Sequence, residues 1–107
     1  MKIEKIDNMF KGWLIGDFSP SIFQTSDFEV AVQEYKKNQI EKPHFHKVAH
    51  EVTMVLHGQI SMNKKIFNEG DIVLVYPNEI VEFKALKKSK TLVVKFPSVK
   101  KDKFLKE

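Results

Sequence analysis

The sequence predicts an all-β protein, a closed β-sandwich or jelly roll made of about eight short strands. Two features predict this class: apolar and polar residues alternate over short segments, and turn-forming residues recur about every 8 to 12 positions. The 107 residues, 42% of them hydrophobic and 30% charged, suffice for one modest core. We therefore expect one domain over residues 1–107, with an N-terminal arm and loop (1–27), a barrel (28–97) and a C-terminal tail (98–107).

The segment before the barrel shows little regular structure. Residues 1–11 have no sustained periodicity and predict an arm. Gly12–Gly16 is apolar between its two glycines and too short for a helix, which favours an edge strand or a segment laid across a partner. Trp13 within it is expected to plug the core or an interface. Residues 17–27 are rich in Ser, Pro and Asp and predict a loop with at most one short strand.

The barrel strands follow from alternation and turn residues. Phe28–Tyr35 alternates in the manner of a half-buried strand. His50–Leu56 is largely apolar on both faces, so one face can line the barrel while the other packs on a second sheet or another subunit. Asn63 and Lys64 predict a tight hairpin turn, and Val99–Glu107 predicts one helical turn or a frayed end. Further strands are expected at Pro43–His46, Ile72–Tyr76, Ile80–Ala85 and Thr91–Phe96.

Composition excludes several functions. Cysteine is absent, so no disulfide or thiolate chemistry is available, and any metal must be held by nitrogen and oxygen. All 18 basic residues are lysine, and the lack of the arginine fork argues against a specific nucleic-acid reader despite the net charge of +4. No apolar run is long enough to span a bilayer and no secretory signal is present, so a cytoplasmic location is expected.

His44 and His46 stand one residue apart on a predicted strand, so their side chains share one face. Two imidazoles with a nearby carboxylate suit zinc, iron, manganese or nickel. Glu51 and His50, the candidates for a further ligand, follow His46 within five residues. Since they are neighbours on one strand, only one of them can face the same pocket, and spacing from the histidine pair does not decide which.

The pattern His44-x-His46, four residues, Glu51, six residues, Gly58 resembles the first motif of the cupin superfamily, and Gly70 to Pro77 resembles the second. The resemblance implies an RmlC-like, cupin-type jelly-roll β-barrel of two antiparallel sheets. It favours Glu51 over His50 as a ligand. Glu82 stands where cupins usually place a third histidine. The implied metal ligands are therefore His44, His46, Glu51 and Glu82, holding one divalent ion (Fe, Mn, Zn or Ni).

These features predict a small metal-dependent enzyme of the oxygenase or isomerase type, acting on a small oxygenated or anionic metabolite. The alternative is a non-catalytic module of the same fold that binds or senses a small, sugar-like ligand. No catalytic residue can be assigned beyond the metal ligands, and the polar candidates are Tyr35, Tyr76 and Glu82.

Two further expectations concern the empty pocket and the assembly. Without metal, Glu51 and Glu82 would face each other in a low-dielectric pocket, which raises the pKa of both carboxyl groups. Strands that are apolar on both faces, together with the arm around Trp13, predict a homodimer.

Overall fold

The computed structural model describes residues 1–107 as two sheets packed face to face, and the predicted all-β class is confirmed. No helix is long and apolar enough to cross a membrane, since the helical segments are the short 3₁₀ turns Ile6–Asn8 and Phe10–Gly12. The strands are β1 (Trp13–Gly16), β2 (Phe23–Gln24), β3 (Glu29–Tyr35), β4 (Ile40–Phe45), β5 (His50–His57), β6 (Gln59–Met62), β7 (Lys65–Asn68), β8 (Ile72–Val75), β9 (Val81–Ala85), β10 (Ser89–Phe96) and β11 (Phe104–Leu105).

The larger sheet has six strands in the order β2-β1-β3-β10-β5-β8, and the smaller has five in the order β11-β4-β9-β6-β7. All pairings are antiparallel except that of β1 with β2. Burial alternates along the central strands, so that one face of each sheet is turned inwards. The two inner faces enclose a core of eight buried residues: Tyr35, Val55, Ile60, Met62, Val75, Val81, Phe83 and Ala85.

Two tight turns fix how β5, β6 and β7 follow one another. Gly58 joins β5 to β6 with φ of +89°, and a Cβ there would lie 2.3 Å from the Ser89 hydroxyl oxygen, so only glycine fits. Asn63 and Lys64 have φ of 50° and 67°, the positive values of a two-residue hairpin turn between β6 and β7. The predicted hairpin is therefore confirmed.

The two ends of the chain differ from expectation. Gly12–Gly16 contains β1, which lies between β2 and β3 and is not an edge. The C-terminal tail does not form a helical turn. It returns along β4, where β11 pairs Phe104 with Phe45 and Leu105 with His44. An exposed edge of β4 accepts this pairing because unpaired backbone groups favour strand addition.

Candidate functional site

His44 lies on β4 and His46 directly follows its last residue, and both side chains are buried. Their ring centroids are 5.6 Å apart. Phe45 between them stands on the opposite side of the strand and stacks on Phe104, with ring centroids 5.6 Å apart. Strand alternation thus brings the two imidazoles to one side, as the sequence predicts.

Each imidazole is held by a backbone carbonyl. Nδ1 of His44 lies 2.9 Å from the Lys42 carbonyl oxygen, and Nδ1 of His46 lies 2.5 Å from the Asp102 carbonyl oxygen. A carbonyl oxygen can only accept, so Nδ1 carries the proton in both rings. This leaves Nε2 as the atom of each ring that is able to bind a cation. Outer partners of this kind orient the histidines of metal sites.

Glu51, the second residue of β5, contacts the imidazole of His46. Its Oε2 lies 3.1 Å from Nε2 of His46, and Thr53 donates its hydroxyl to Oε1 at 3.3 Å. Burial by itself raises the pKa of Glu51. The hydrogen bond from His46 and the positive charge of Lys95 outweigh burial, so this pKa lies below its ordinary value. Glu51 is therefore ionised at neutral pH.

The contact between His46 and Glu51 requires either a doubly protonated imidazole or a bound cation between the two side chains. With Nδ1 already donating to a carbonyl, a hydrogen bond from Nε2 to the carboxylate needs a second proton on the ring. A metal ion bound to both atoms would take the place of that proton. The 3.1 Å between Nε2 and Oε2 also matches two ligands that each lie about 2.1 Å from one ion. The donor atoms of these two residues therefore fit a divalent metal.

Lys95 links two carboxylates across the larger sheet. It pairs with Glu29 on β3 and with Glu51 on β5, and its ammonium lies 3.7 Å and 3.9 Å from their respective oxygens. All three side chains are largely buried. The same ammonium lies 5.0 Å from the centroid of the Trp13 ring. Lys95 therefore offsets one of the two negative charges at this end of the barrel.

The structure does not bring Glu82 to this group. On β9, Val81 pairs with His44 and is buried, and Phe83 is buried as well, so Glu82 between them is exposed. The Glu82 backbone N–H bonds to the Asn63 side chain at 2.9 Å. The expected repulsion between Glu51 and Glu82 is therefore absent, and the pKa of Glu51 is lowered rather than raised. No group of three or more potential ligand side chains is arranged to hold a metal ion.

The other candidates lie outside the site. His50 stands on the outer side of β5 and stacks on Phe96 with ring centroids 5.5 Å apart. Tyr76 is exposed beside it. Tyr35 belongs to the apolar core, where burial and the carboxylates of Glu41 and Glu51 raise its pKa. Tyr35 therefore stays protonated.

Asp102 is the site residue that sequence reasoning missed. Its buried carboxylate accepts the backbone N–H groups of Lys47, Val48 and Ala49 at 2.9 to 3.2 Å, while its carbonyl holds His46. Burial by itself raises the pKa of Asp102. The three backbone hydrogen bonds outweigh burial, so this pKa lies below its ordinary value. No local signal marks this aspartate, since it stands among lysines in a segment typical of a solvated tail.

A cavity of about 530 Å³ opens beside His46, Lys95 and Asp102. Trp13 and Phe18 form part of its wall, so Trp13 lines a pocket rather than plugging the core. The tail supplies Lys100, Lys101 and Lys103 to its rim, and no ion pair engages these three lysines. The cavity is within the size range of small-molecule sites.

Comparison with solved structures identifies the fold. DMSP lyase DddQ from Ruegeria pomeroyi is similar over 87% of this chain and 49% of its own, with a TM-score of 0.72 and 17% identity. KdgF from Halomonas sp. is similar over 71% of this chain and 74% of its own, with a TM-score of 0.67 and 17% identity. An RmlC-like cupin from Desulfovibrio desulfuricans is similar over 70% of this chain and 76% of its own, with a TM-score of 0.62 and 17% identity.

This chain has the cupin fold. It spans about half the length of the DMSP lyase and about three quarters of the other two proteins. No family model matches the sequence, and the comparison with curated proteins also finds no match. The likeness therefore lies in the backbone, at identities that show the fold alone.

In this chain, the turn that ends the second motif supports the first. Asn78 follows Pro77 with φ of 68°, a left-handed conformation that asparagine tolerates well. Its backbone N–H donates to the carbonyl oxygen of His46 at 2.6 Å. His46 is thus held through its main chain by Asn78 and through its ring by Asp102.

Proposed function

We propose that this protein binds one divalent metal ion through His46 and Glu51, whose donor atoms already face each other, with the neighbouring His44 as a third ligand that the metal would draw in. The proposal rests mainly on the burial and the hydrogen bonding that the two imidazoles have in common. Each is buried, each donates Nδ1–H to a backbone carbonyl, and Nε2 of His46 faces an ionised carboxylate at 3.1 Å. Histidines that bind metals almost always donate their other ring N–H to a partner of this kind.

The proposed ligand set is smaller than the one the sequence predicts. Two neutral imidazoles and one carboxylate leave a divalent ion with a charge of +1, whereas Glu82 as a second carboxylate would have cancelled that charge. Such a set suits iron, manganese, zinc or nickel and leaves coordination positions open. When bound, the ion would polarise an oxygen atom of a substrate.

The substrate we propose is a small oxygenated or anionic metabolite. The cavity beside His46 has unpaired lysines at its rim, Lys100, Lys101 and Lys103, which attract negative charge. Trp13 offers an apolar wall, and Lys95 is already neutralised by two carboxylates. The Ruegeria protein of similar fold is a lyase, which supports an enzymatic role. A cytoplasmic location remains part of this proposal.

A non-catalytic, sugar-like ligand-binding or sensor role is the second candidate. It is favoured by the placement of the three polar candidates named from the sequence, none of which is available as a general base beside the proposed metal ligands. Glu82 is exposed, Tyr76 is on the outer surface and Tyr35 is held protonated in the core. A protein with these features could bind a metabolite through the metal without converting it.

Metal content and thermal stability test the proposal. We expect about one metal ion per chain, and at a metal concentration about 100-fold above Kd a gain of about 2.7 kcal/mol in the free energy of unfolding. His46→Ala and Glu51→Gln should abolish this gain. His57→Ala and Glu82→Gln are matched controls, because both side chains are exposed, and they should keep it.

Two results would contradict the metal proposal. One is the absence of a shift with iron, manganese, zinc and nickel alike. The other is a shift that survives His46→Ala but is lost in Glu82→Gln. If the metal binds, turnover across a panel of small carboxylates and sugars, with oxygen consumption followed in parallel, separates the enzyme from the binding module.

A further inference from the structure

Lys95 brings a positive charge to the inner face of the larger sheet. On β10 the side chains of Thr91 and Val93 are buried, and Lys95 follows them on the same face because alternate residues of a strand point the same way. Its side chain is only 16% exposed, and it lines the cavity beside His46. An ammonium group with so little access to water is costly unless its surroundings compensate the charge.

Two carboxylates supply this compensation, and they are held differently. Glu29 lies 3.7 Å from the ammonium and also accepts the Ser98 hydroxyl at 2.7 Å, which fixes it in place. Glu51 lies 3.9 Å from the ammonium through Oε2. The Trp13 ring adds a weaker contact, with its centroid 5.0 Å away. Lys95 therefore depends on Glu51 for part of its neutralisation.

The Glu51 oxygen that faces Lys95 is also the one that faces His46. Oε2 lies 3.1 Å from Nε2 of His46 and 3.9 Å from Nζ of Lys95. A divalent ion held by this oxygen and by His46 would lie next to an ammonium group. Two cations at such a distance repel each other, and the repulsion is stronger where little water is present. Lys95 should therefore weaken the binding of a metal ion that comes alone.

We propose that Lys95 is a specificity-determining residue that selects a carboxylate as the partner of the metal ion. A carboxylate has two oxygens, so one can occupy an open position on the ion while the other accepts a hydrogen bond from the ammonium. Its negative charge replaces the part of Glu51 that the ion takes from Lys95. The metal ion and the carboxylate should then bind synergistically. This inference rests on the proposed function, because it needs the metal at His46 and Glu51.

The rest of the cavity suits a small carboxylate that has an apolar portion. Trp13 and Phe18 meet edge to face with ring centroids 6.3 Å apart and form an apolar wall. The unpaired lysines at the rim attract negative charge. A neutral sugar fits the same volume but brings no charge to offset Lys95. We therefore expect synergy with the metal for a carboxylate and not for a sugar.

Isothermal titration calorimetry with zinc tests the synergy. Zinc is titrated into the protein in sodium acetate, or in sodium chloride at the same ionic strength. Acetate should lower the Kd for zinc about tenfold, and by reciprocity zinc should lower the Kd for acetate by the same factor. Glucose added to the chloride buffer should leave the Kd for zinc unchanged.

Lys95→Met removes the charge that the inference depends on. Without acetate this variant should bind zinc about fivefold more tightly than the wild type, because the repulsion is gone, and acetate should have no further effect. Lys95→Arg keeps the charge and should keep the response to acetate. Lys84→Met, which changes an exposed lysine on β9, is the matched control and should behave as the wild type. A merely structural role for Lys95 would predict weaker zinc binding in Lys95→Met.

Glu29→Gln works in the opposite direction and tests the inference even if Lys95→Met does not fold. The Ser98 hydroxyl can still donate to the amide oxygen, but Lys95 loses one counter-charge. Zinc alone should bind more weakly to this variant, and acetate should restore the affinity. Zinc binding that acetate leaves unchanged in the wild type, or a response to acetate that survives in Lys95→Met, would overturn this inference and leave the metal proposal standing. Failure of iron, manganese, zinc and nickel alike to bind would overturn both.

Discussion

The two ends of the barrel interior differ in chemistry. One end is filled by the apolar core around Val55, Ile60 and Phe83. The other holds His44, His46 and Glu51. A single strand, β5, contributes to both, with Glu51 and Val55 on the same inner face. Buried polar groups stabilise a fold only when they are fully paired, so the apolar end must supply most of the stability.

The ends also differ in what holds them. The apolar end is packed by side chains from β5, β6, β8 and β9. The polar end depends on groups outside the barrel strands, above all Asp102 in the tail. We therefore expect substitutions at the apolar end to reduce stability without altering the site, and substitutions at the tail to alter both.

The largest expected effect is at the apolar end. Ile60 is 0% exposed, and Ile60→Ala should lower the free energy of unfolding by about 3 kcal/mol, because it removes buried surface and leaves a cavity. Urea denaturation measures the loss. Ile66→Ala, an exposed site on the paired strand, should change it by less than about 0.5 kcal/mol. Equal losses in the two variants would contradict the division between the ends.

A smaller effect is expected at the tail. Asp102→Asn should lower the free energy of unfolding by about 2 kcal/mol at pH 7, because a neutral amide offers one oxygen to the backbone N–H groups of residues 47–49. The histidine ring signals in NMR should shift for His46 and not for His57. Asp27→Asn is the control, since that carboxylate accepts no hydrogen bond.

Lowering the pH should remove the difference in free energy of unfolding between the wild type and Asp102→Asn. The pKa of Asp102 is lower in the folded protein than its ordinary value, so its contribution is complete above about pH 4 and is lost as the pH falls through the folded-state pKa. The curves for wild type and Asp102→Asn should therefore converge in acid. Curves that stay parallel down to pH 3 would mean that the carboxylate charge is not what holds the loop.

The smallest effect tests an isolated polar group near the apolar end. Thr91 is 0% exposed, and its hydroxyl oxygen lies near the Tyr35 hydroxyl without forming a hydrogen bond of good geometry. Thr91→Val should raise the free energy of unfolding by about 1 kcal/mol, since it replaces an unpaired hydroxyl by a methyl group of similar size. Thr53→Val is the contrasting change, because its hydroxyl binds Glu51, and it should lower stability. A loss in Thr91→Val would point to a hydroxyl partner that the apolar end requires.

The sequence by itself determined the main barrel strands and the histidine pair. Alternation and turn residues are local properties, so they predicted the all-β class, the hairpin at Asn63 and Lys64, and the shared face of His44 and His46. The resemblance to cupins also selected Glu51 over His50, and the structure places Glu51 against His46.

Only the tertiary structure decided which distant residues meet this pair. Glu82 could face either side of β9 until the pairing of Val81 with His44 fixed the register, and a shift of one residue exchanges the two faces. Asp102 and Trp13 reach the site from opposite ends of the chain. Contacts of that kind depend on how strands far apart in sequence pair and pack, and no local pattern of residues encodes them.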